Sequence, residues 1–529
     1  MSDYTILLGG RIYRDPWNRI DEGALVVQRD RIAWVGPVAE LPETWKGRGV
    51  RKEFRGKVIL PGFNDNHLHT AVFGDNETYP SLTGLNEEEI LGRLAESFAH
   101  WPKNELIMAF GWDYPDCPEP HRSLLDQRFP ENPVALIQFS GHGAWVNSQM
   151  LKELGIDRET PDPEGGVIVR DERGEPTGIL RDAALHPIHR ERFMVLHRDR
   201  KRLTSAVQRA LGHYRSYGIT SVQDNTWLPQ TIGVLRKLKK RGDLTSRFSC
   251  WPYGVMPWVA RLTDLRRFDR LWFRKGPWKY FLDGTFSTRT AWLLEPYPGE
   301  PENYGTPVLK GEELDKVLIR AAKKKRQAAF HAIGDGAIHE FLDRLEAVAR
   351  EYPVLKELRL RLEHAQLVDP LDMERLQELG VLIAAQPHAM GNPTKDVEIL
   401  GKERALHAYP HRSLLEVGVP LSFGSDIPGE PTVRPFQAIH YVVNREGPEA
   451  LTPEEAVSAY TLGSAYAEFM EEEKGTLEEG KLADFIVVDA DPFGSASEKL
   501  QEIEVSETWV GGRQVFARRD EVARSSSGV

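Results

Sequence analysis

Val58-Ile59-Leu60-Pro61-Gly62-Phe63-Asn64-Asp65-Asn66-His67-Leu68-His69 is the stretch on which the fold turns. An apolar run of strand formers leads into Pro61-Gly62, and the extended segment beyond ends on two histidines spaced i, i+2. Alternate side chains of an extended backbone share a face, so both imidazoles can reach one ion. In isolation His67 and His69 read equally well as two unrelated surface histidines. The choice depends on whether VILPGFND (58–65) is one strand of a repeating set.

It is. Downstream lie GITSVQD (218–224), RFSCWPYGV (247–255), WKYFLDG (278–284), QAAFHAIGD (327–335), RLRLEHAQ (359–366), VLIAAQP (381–387) and PLSFGSD (420–426). Helical stretches such as LDKVLIRAAKKKR, AIHEFLDRLEAVAREY and MERLQELG separate them, with apolar residues at i, i+3, i+4. Alternating strands and helices predict an α/β chain with a parallel sheet, and eight strands predict a TIM (β/α)8 barrel.

One connection is anomalous. About 150 residues separate the first strand from the second, far beyond an ordinary crossover. That stretch has its own strand-like runs (LIMAFGW, PVALIQFS, GGVIVRDERGEPTGIL), which predicts a large insertion after barrel strand one. Both chain ends read as short strands and turns, so they are expected to meet in one small β-sandwich domain. The predicted division is 1–60 for the N-terminal part of that β-domain, 61–465 for the barrel with an insertion over about 71–210, and 466–529 for the C-terminal part. The tail ARSSSGV is expected to be disordered.

Composition narrows the function classes. Of 529 residues, 40% are hydrophobic and 28% charged, the profile of a soluble globular chain. A net charge of −11 argues against nucleic acid as a partner, since phosphate binding needs basic surface. Only Cys117 and Cys250 occur, which excludes a disulfide framework and a cysteine-based metal site. No signal peptide and no apolar run of membrane-spanning length is visible, so a cytoplasmic location with no membrane partner is expected.

The remaining chemistry-bearing residues fall where barrel enzymes keep their active sites, at strand C-terminal ends. His331 ends strand five, His364 strand six and Asp426 strand eight, while Lys279 lies inside strand four between aromatics. Each alone has an ordinary explanation: a hydrogen-bonded core histidine, an N-capping aspartate, a snorkelling lysine. Their joint placement on one barrel does not.

This set, His67-x-His69 after PGF-x-Asp with Lys279, His331, His364 and Asp426, resembles the ligand set of the amidohydrolase superfamily. More narrowly the chain resembles amidohydrolase family 3, the branch that includes N-substituted formamide deformylases. The likeness runs through GWDYPDCPE, PVALIQFSGHGAWVNSQML, KYFLDGTFSTRTAWLLEPY, HAIGDGAI, GSDIPGEPTVRPFQAIHYVVNR, LTPEEAVSAYTLGSAYA and GTLEEGKLADFIVVDADPF.

The resemblance implies Zn2+ or another divalent metal, one or two ions, with His67 and His69 on the first and His331 and His364 on the second. It implies a carboxylated Lys279 bridging the pair, and Asp426 as a further ligand and proton shuttle in hydrolysis of a non-peptide C–N bond, amide or formamide. His142, in FSGHGAWVN, matches a family position and is read as contacting the substrate carbonyl or leaving group. Trp112, Asp113 and Trp145 of the insertion, with Arg289 after strand four, are expected at or near a pocket for a small-molecule substrate with an apolar amine. A homodimer is expected by analogy. Two other readings stand beside this one: a deaminase-type hydrolase acting on a heterocyclic C=N bond, which Lys279 disfavours, and a non-catalytic scaffold, which an intact ligand set disfavours.

Overall fold

The computed structural model describes residues 4–46, 49–163, 165–226 and 229–518; the tail 523–529 lies outside them. Eight parallel strands build the barrel: Phe63–Leu68, Ile219–Asp224, Arg247–Cys250, Trp278–Phe281, Ala328–Ala332, Arg361–His364, Leu382–Ala385 and Leu421–Phe423, numbered one to eight here. Strands one to three pair in sequence, as do strands four to eight. The seam between three and four is bridged by a short strand, Phe273–Lys275, that pairs with strand three, and by the pairing of Tyr253 with Lys279. The barrel closes where Asp426 N donates to His67 O (2.7 Å) and His69 N to Ile427 O (3.0 Å). Nearly every barrel-strand residue is buried, because helices cover the outside and side chains fill the inside.

The sequence treats VILPGFND as one strand, and the structure divides it. Val58–Pro61 pairs antiparallel with Phe485–Val488, whereas Phe63–Leu68 pairs parallel with barrel strand two. The change of sheet falls at Pro61-Gly62. Proline offers no N–H to a ladder, and a Cβ on Gly62 would lie 2.3 Å from the Thr220 side chain. Only glycine lets the two backbones come so close.

Both chain ends therefore share a sheet. Its order is Arg513–Ala517, Val505–Val510, Phe485–Val488, Val58–Pro61, Tyr4–Asp15, Asn18–Gln28, Arg31–Pro37, with Val50–Glu53 also on Tyr4–Asp15. The hydrogen bonding runs on as one eight-stranded sheet, where two facing sheets were expected. Side chains from both ends, including Leu7, Leu25, Phe485 and Trp509, meet in one buried cluster.

The long connection folds into a five-stranded sheet with its own two apolar clusters: Gly166–Arg170, Pro176–Asp182, Gly143–Val146, Val134–Gln138, Ile107–Trp112. Helix Arg200–Ser216 buries Leu203, Val207 and Leu211 in the barrel core. That helix thus belongs with the barrel rather than with the insertion expected over about 71–210. Barrel helices Gly311–Lys324 and Asp335–Glu351 bury the apolar faces their spacing predicts. Among the described residues no helix is long and apolar enough to cross a membrane.

Candidate metal centre

The polar ends of the barrel strands converge on one point. His67 leaves strand one almost wholly buried, with its Nε2 3.4 Å from Asp426 Oδ1, while His69 Nε2 lies 3.1 Å from the same oxygen. One donor atom from each of His67, His69 and Asp426 lies within 4.8 Å of the others, a spacing that one ion can bridge. Asp426 reaches this point with φ +53°, outside the ordinary range for a non-glycine residue. Gly424 makes room: a Cβ there would meet Asn66 Oδ1 at 2.4 Å and His67 N at 2.6 Å.

A second pair of imidazoles stands beside the first. The rings of His331 and His364 are 4.4 Å apart, and His364 is 5.3 Å from the ring of His67. His331 Nε2 donates to Gly284 O at 2.9 Å, which leaves its Nδ1 lone pair available. His364 is held at φ +77°. Burial, then Lys279, hold His67 and His331 well below the usual histidine pKa; for His364 the causes are burial, then His331 and Lys279. All three are neutral, the form that binds metal.

Lys279 completes the group. Its side chain is 1% exposed, and Nζ has no hydrogen-bond partner among the described residues. Burial lowers its pKa to about 8 against the pull of Glu363 and Asp426. A buried, unpartnered amine is costly unless something occupies its surroundings. Asp426 is lowered: burial alone would raise it, but His67, His69 and Lys279 outweigh burial.

Three residues that the sequence reading did not single out hold this arrangement. Glu363, directly before His364, accepts from His67 Nδ1 at 2.6 Å and so turns Nε2 toward Asp426. Fully buried Arg361 clamps Glu363 (2.9 Å) and spans the barrel interior to Gln223 Oε1 (2.5 Å) and Asn66 O (3.0 Å). A charged pair inside a strand was the available signal. Asp283, after strand four, accepts from Ile333 N (3.0 Å), Gly334 N (2.8 Å) and Trp292 N (3.0 Å), fastening the loop beside His331.

His142 reaches the site from the insertion: its ring lies 5.9 Å from that of His331, and it lines the same cavity. Burial lowers its pKa, but Asp182 overcomes burial and the net direction is upward. Asp113 also lines the cavity, ion-paired to Lys395 at 2.5 Å.

Three expected pocket residues do not line it. Trp112 and Trp145 pack edge to face in the insertion's own core, 1% and 0% exposed. Arg289 pairs with Glu300 away from the cavity. The aromatic wall is made instead by Phe73, Tyr79, Phe110, Tyr253, Phe281 and Phe286. Trp145 alternates with Ala144 and Val146 of the other cluster, and an irregularity at Gly111 swings Trp112 to the same inner face, off the side taken by Phe110; residue type alone does not reveal facing. The cavity holds about 1710 Å³, more than a small amide head group needs.

Comparison with known proteins follows this geometry. A model of the amidohydrolase family matches residues 54–516. The Bacillus subtilis (strain 168) protein YtcJ is 31% identical over 96% of this chain and 99% of its own length. An N-substituted formamide deformylase of Arthrobacter pascens is 29% identical over 92% of this chain and 94% of its own. The crystal structure of an uncharacterized metal-dependent hydrolase from Pyrococcus furiosus superposes with a TM-score of 0.72 at 30% identity, covering 93% of this chain and all of that one.

Proposed function

Because the chain belongs to the amidohydrolase family, we propose that it is a metal-dependent hydrolase of non-peptide carbon–nitrogen bonds, acting on a small N-substituted amide or formamide. The observation that carries this reading is the convergence of His67, His69 and Asp426 beside two further neutral imidazoles and an unpartnered buried lysine. Imidazole nitrogens and a carboxylate oxygen suit zinc, and the same set accepts other divalent ions. When bound, a divalent ion there lowers the pKa of water to about 7 and polarises a carbonyl.

The chain's own residues do the rest. Asp426 Oδ1 receives the proton of the attacking water and delivers it to the departing nitrogen. Glu363 fixes the His67 ring, so Nε2 faces the centre. Lys279 Nζ, a neutral amine for part of its population near neutral pH, adds carbon dioxide and releases a proton, and the carbamate contributes two oxygen donors. His142 contacts the carbonyl or the leaving nitrogen from the insertion side. The aromatic wall receives the apolar part of the amine, and likeness to the formamide deformylase supports that class of substrate.

The test is metal analysis joined to a hydrolysis screen pairing benzyl, alkyl and charged amines with formyl, acetyl and larger acyl groups. One or two divalent ions per chain and activity abolished by chelation are expected. Absence of metal in carefully prepared protein, with nothing restored by added zinc, overturns the reading. Activity confined to cyclic C=N bonds replaces it with the deaminase alternative.

A further inference from the structure

His142 and Asp182 lie 40 positions apart, and the insertion's sheet brings them face to face. Gly143–Val146 and Pro176–Asp182 run antiparallel with Arg181 opposite Gly143, so the next pair along the ladder is Asp182 opposite His142. Directly opposed residues on such a ladder project their side chains to the same face. The pair is tied twice. Asp182 N donates to His142 O at 2.8 Å, and His142 Nδ1 donates to Asp182 Oδ1 at 2.9 Å. Both side chains are largely covered, 27% and 11% exposed.

The backbone at Asp182 is costly. It sits at φ +48°, ψ −118°, a conformation that favours glycine, where the chain turns from strand into the 3-10 turn Ala183–Leu185. Its Oδ2 is buried without a hydrogen-bond partner among the described residues. A position needing only that turn would be better served by glycine. An aspartate kept there needs a role for its carboxylate, and the group that carboxylate holds is the His142 imidazole lining the cavity shared with His67, His331 and Asp426.

We propose that Asp182 is a positioning residue: it holds Nδ1–H of His142, so that the Nε2 edge of the ring meets the reacting carbon–nitrogen bond. The inference rests on the hydrolase reading above and adds to it that the insertion supplies a complete carboxylate–imidazole pair. A carboxylate behind an imidazole fixes tautomer and orientation, an arrangement that recurs on unrelated folds.

Asp182→Gly is the informative variant, because it relieves the backbone while deleting the carboxylate. With an N-formyl amine that the wild type hydrolyses, kcat is expected to fall about 10- to 100-fold with KM within about threefold, metal content kept and melting unchanged or higher. In a His142→Ala background the same change should cost less than about twofold, because the two residues act as one unit. Wild-type kcat in Asp182→Gly, or an equal loss in both backgrounds, overturns the proposal. If the wild type hydrolyses no amide in the panel, the hydrolase reading fails separately, and nitrogen NMR of His142 still decides this one. A proton on Nδ1 that is lost in Asp182→Gly upholds it, and an unchanged tautomer overturns it.

Discussion

In the proposed hydrolysis Asp426 carries the most demanding job of any single residue. Asp426→Asn keeps the shape and one oxygen donor but cannot carry a proton. Turnover should fall by about 10²- to 10⁴-fold while most of the metal stays bound. Steady-state kinetics beside elemental analysis checks this, and a variant retaining a tenth of wild-type rate contradicts the role. Glu363→Gln probes the support behind His67: metal affinity should weaken about 10- to 100-fold, read by competition with a chelator. Melting should also drop, since buried Arg361 loses its charged partner at 2.9 Å. At this scale the sequence was informative wherever a polar residue ended an apolar strand, which is how His331, His364 and Asp426 came to attention. Glu363 escaped because a carboxylate inside a strand is meaningful only once its neighbours across the barrel, Arg361 and His67, are seen. Trp112 and Trp145 misled because a tryptophan serves a core as readily as a pocket.

At the scale of elements, the eight barrel strands were legible from apolar runs, and their helices from the 3.6-residue period. The break inside VILPGFND was not, since periodicity cannot say which sheet a strand joins. Nor was the end of the insertion, because helix Arg200–Ser216 has the same apolar spacing whichever layer it covers. The end of helix Gly311–Lys324 divides too: Lys323, Lys324 and Lys325 face solvent, but Arg326 turns in to Asp264 at 2.6 Å. Helix Pro393–Leu400, after strand seven, offers a test of its own. Burial lifts the pKa of Asp396 from 3.8 to about 7, against the opposing pull of Tyr409 and Lys395. Between those values the folded chain holds a proton that the unfolded chain has released, so stability declines as pH rises through this window and levels off above it. Asp396→Asn removes that dependence. Its melting temperature should exceed that of the wild type at pH 8 and converge with it near pH 4. Parallel melting curves with a constant offset at both pH values would refute the assignment.

At the scale of the whole molecule, the barrel and the end sheet are locked by a buried ion pair. Arg247 of strand three holds both oxygens of Asp484, at 2.6 and 2.9 Å, and Gly511 N donates to the same carboxylate at 2.7 Å. Asp484→Ala leaves a buried guanidinium unpaired, a loss of about 3–5 kcal/mol, and should shorten the thermal inactivation half-life sharply. Arg247→Met with Asp484→Leu should recover much of it; no recovery would show that the charge itself matters. The shared sheet has one more consequence. Val58–Pro61, one residue before the strand that bears His67, pairs with Phe485–Val488. On a ribosome that partner emerges only after all eight barrel strands are made, so one edge of Val58–Pro61 stays unpaired through nearly the whole of synthesis while Tyr4–Asp15 already holds the other. Nascent chains stalled before Phe485 would therefore carry the whole barrel and every candidate ligand, but an end sheet lacking three of its eight strands and an exposed edge along Val58–Pro61.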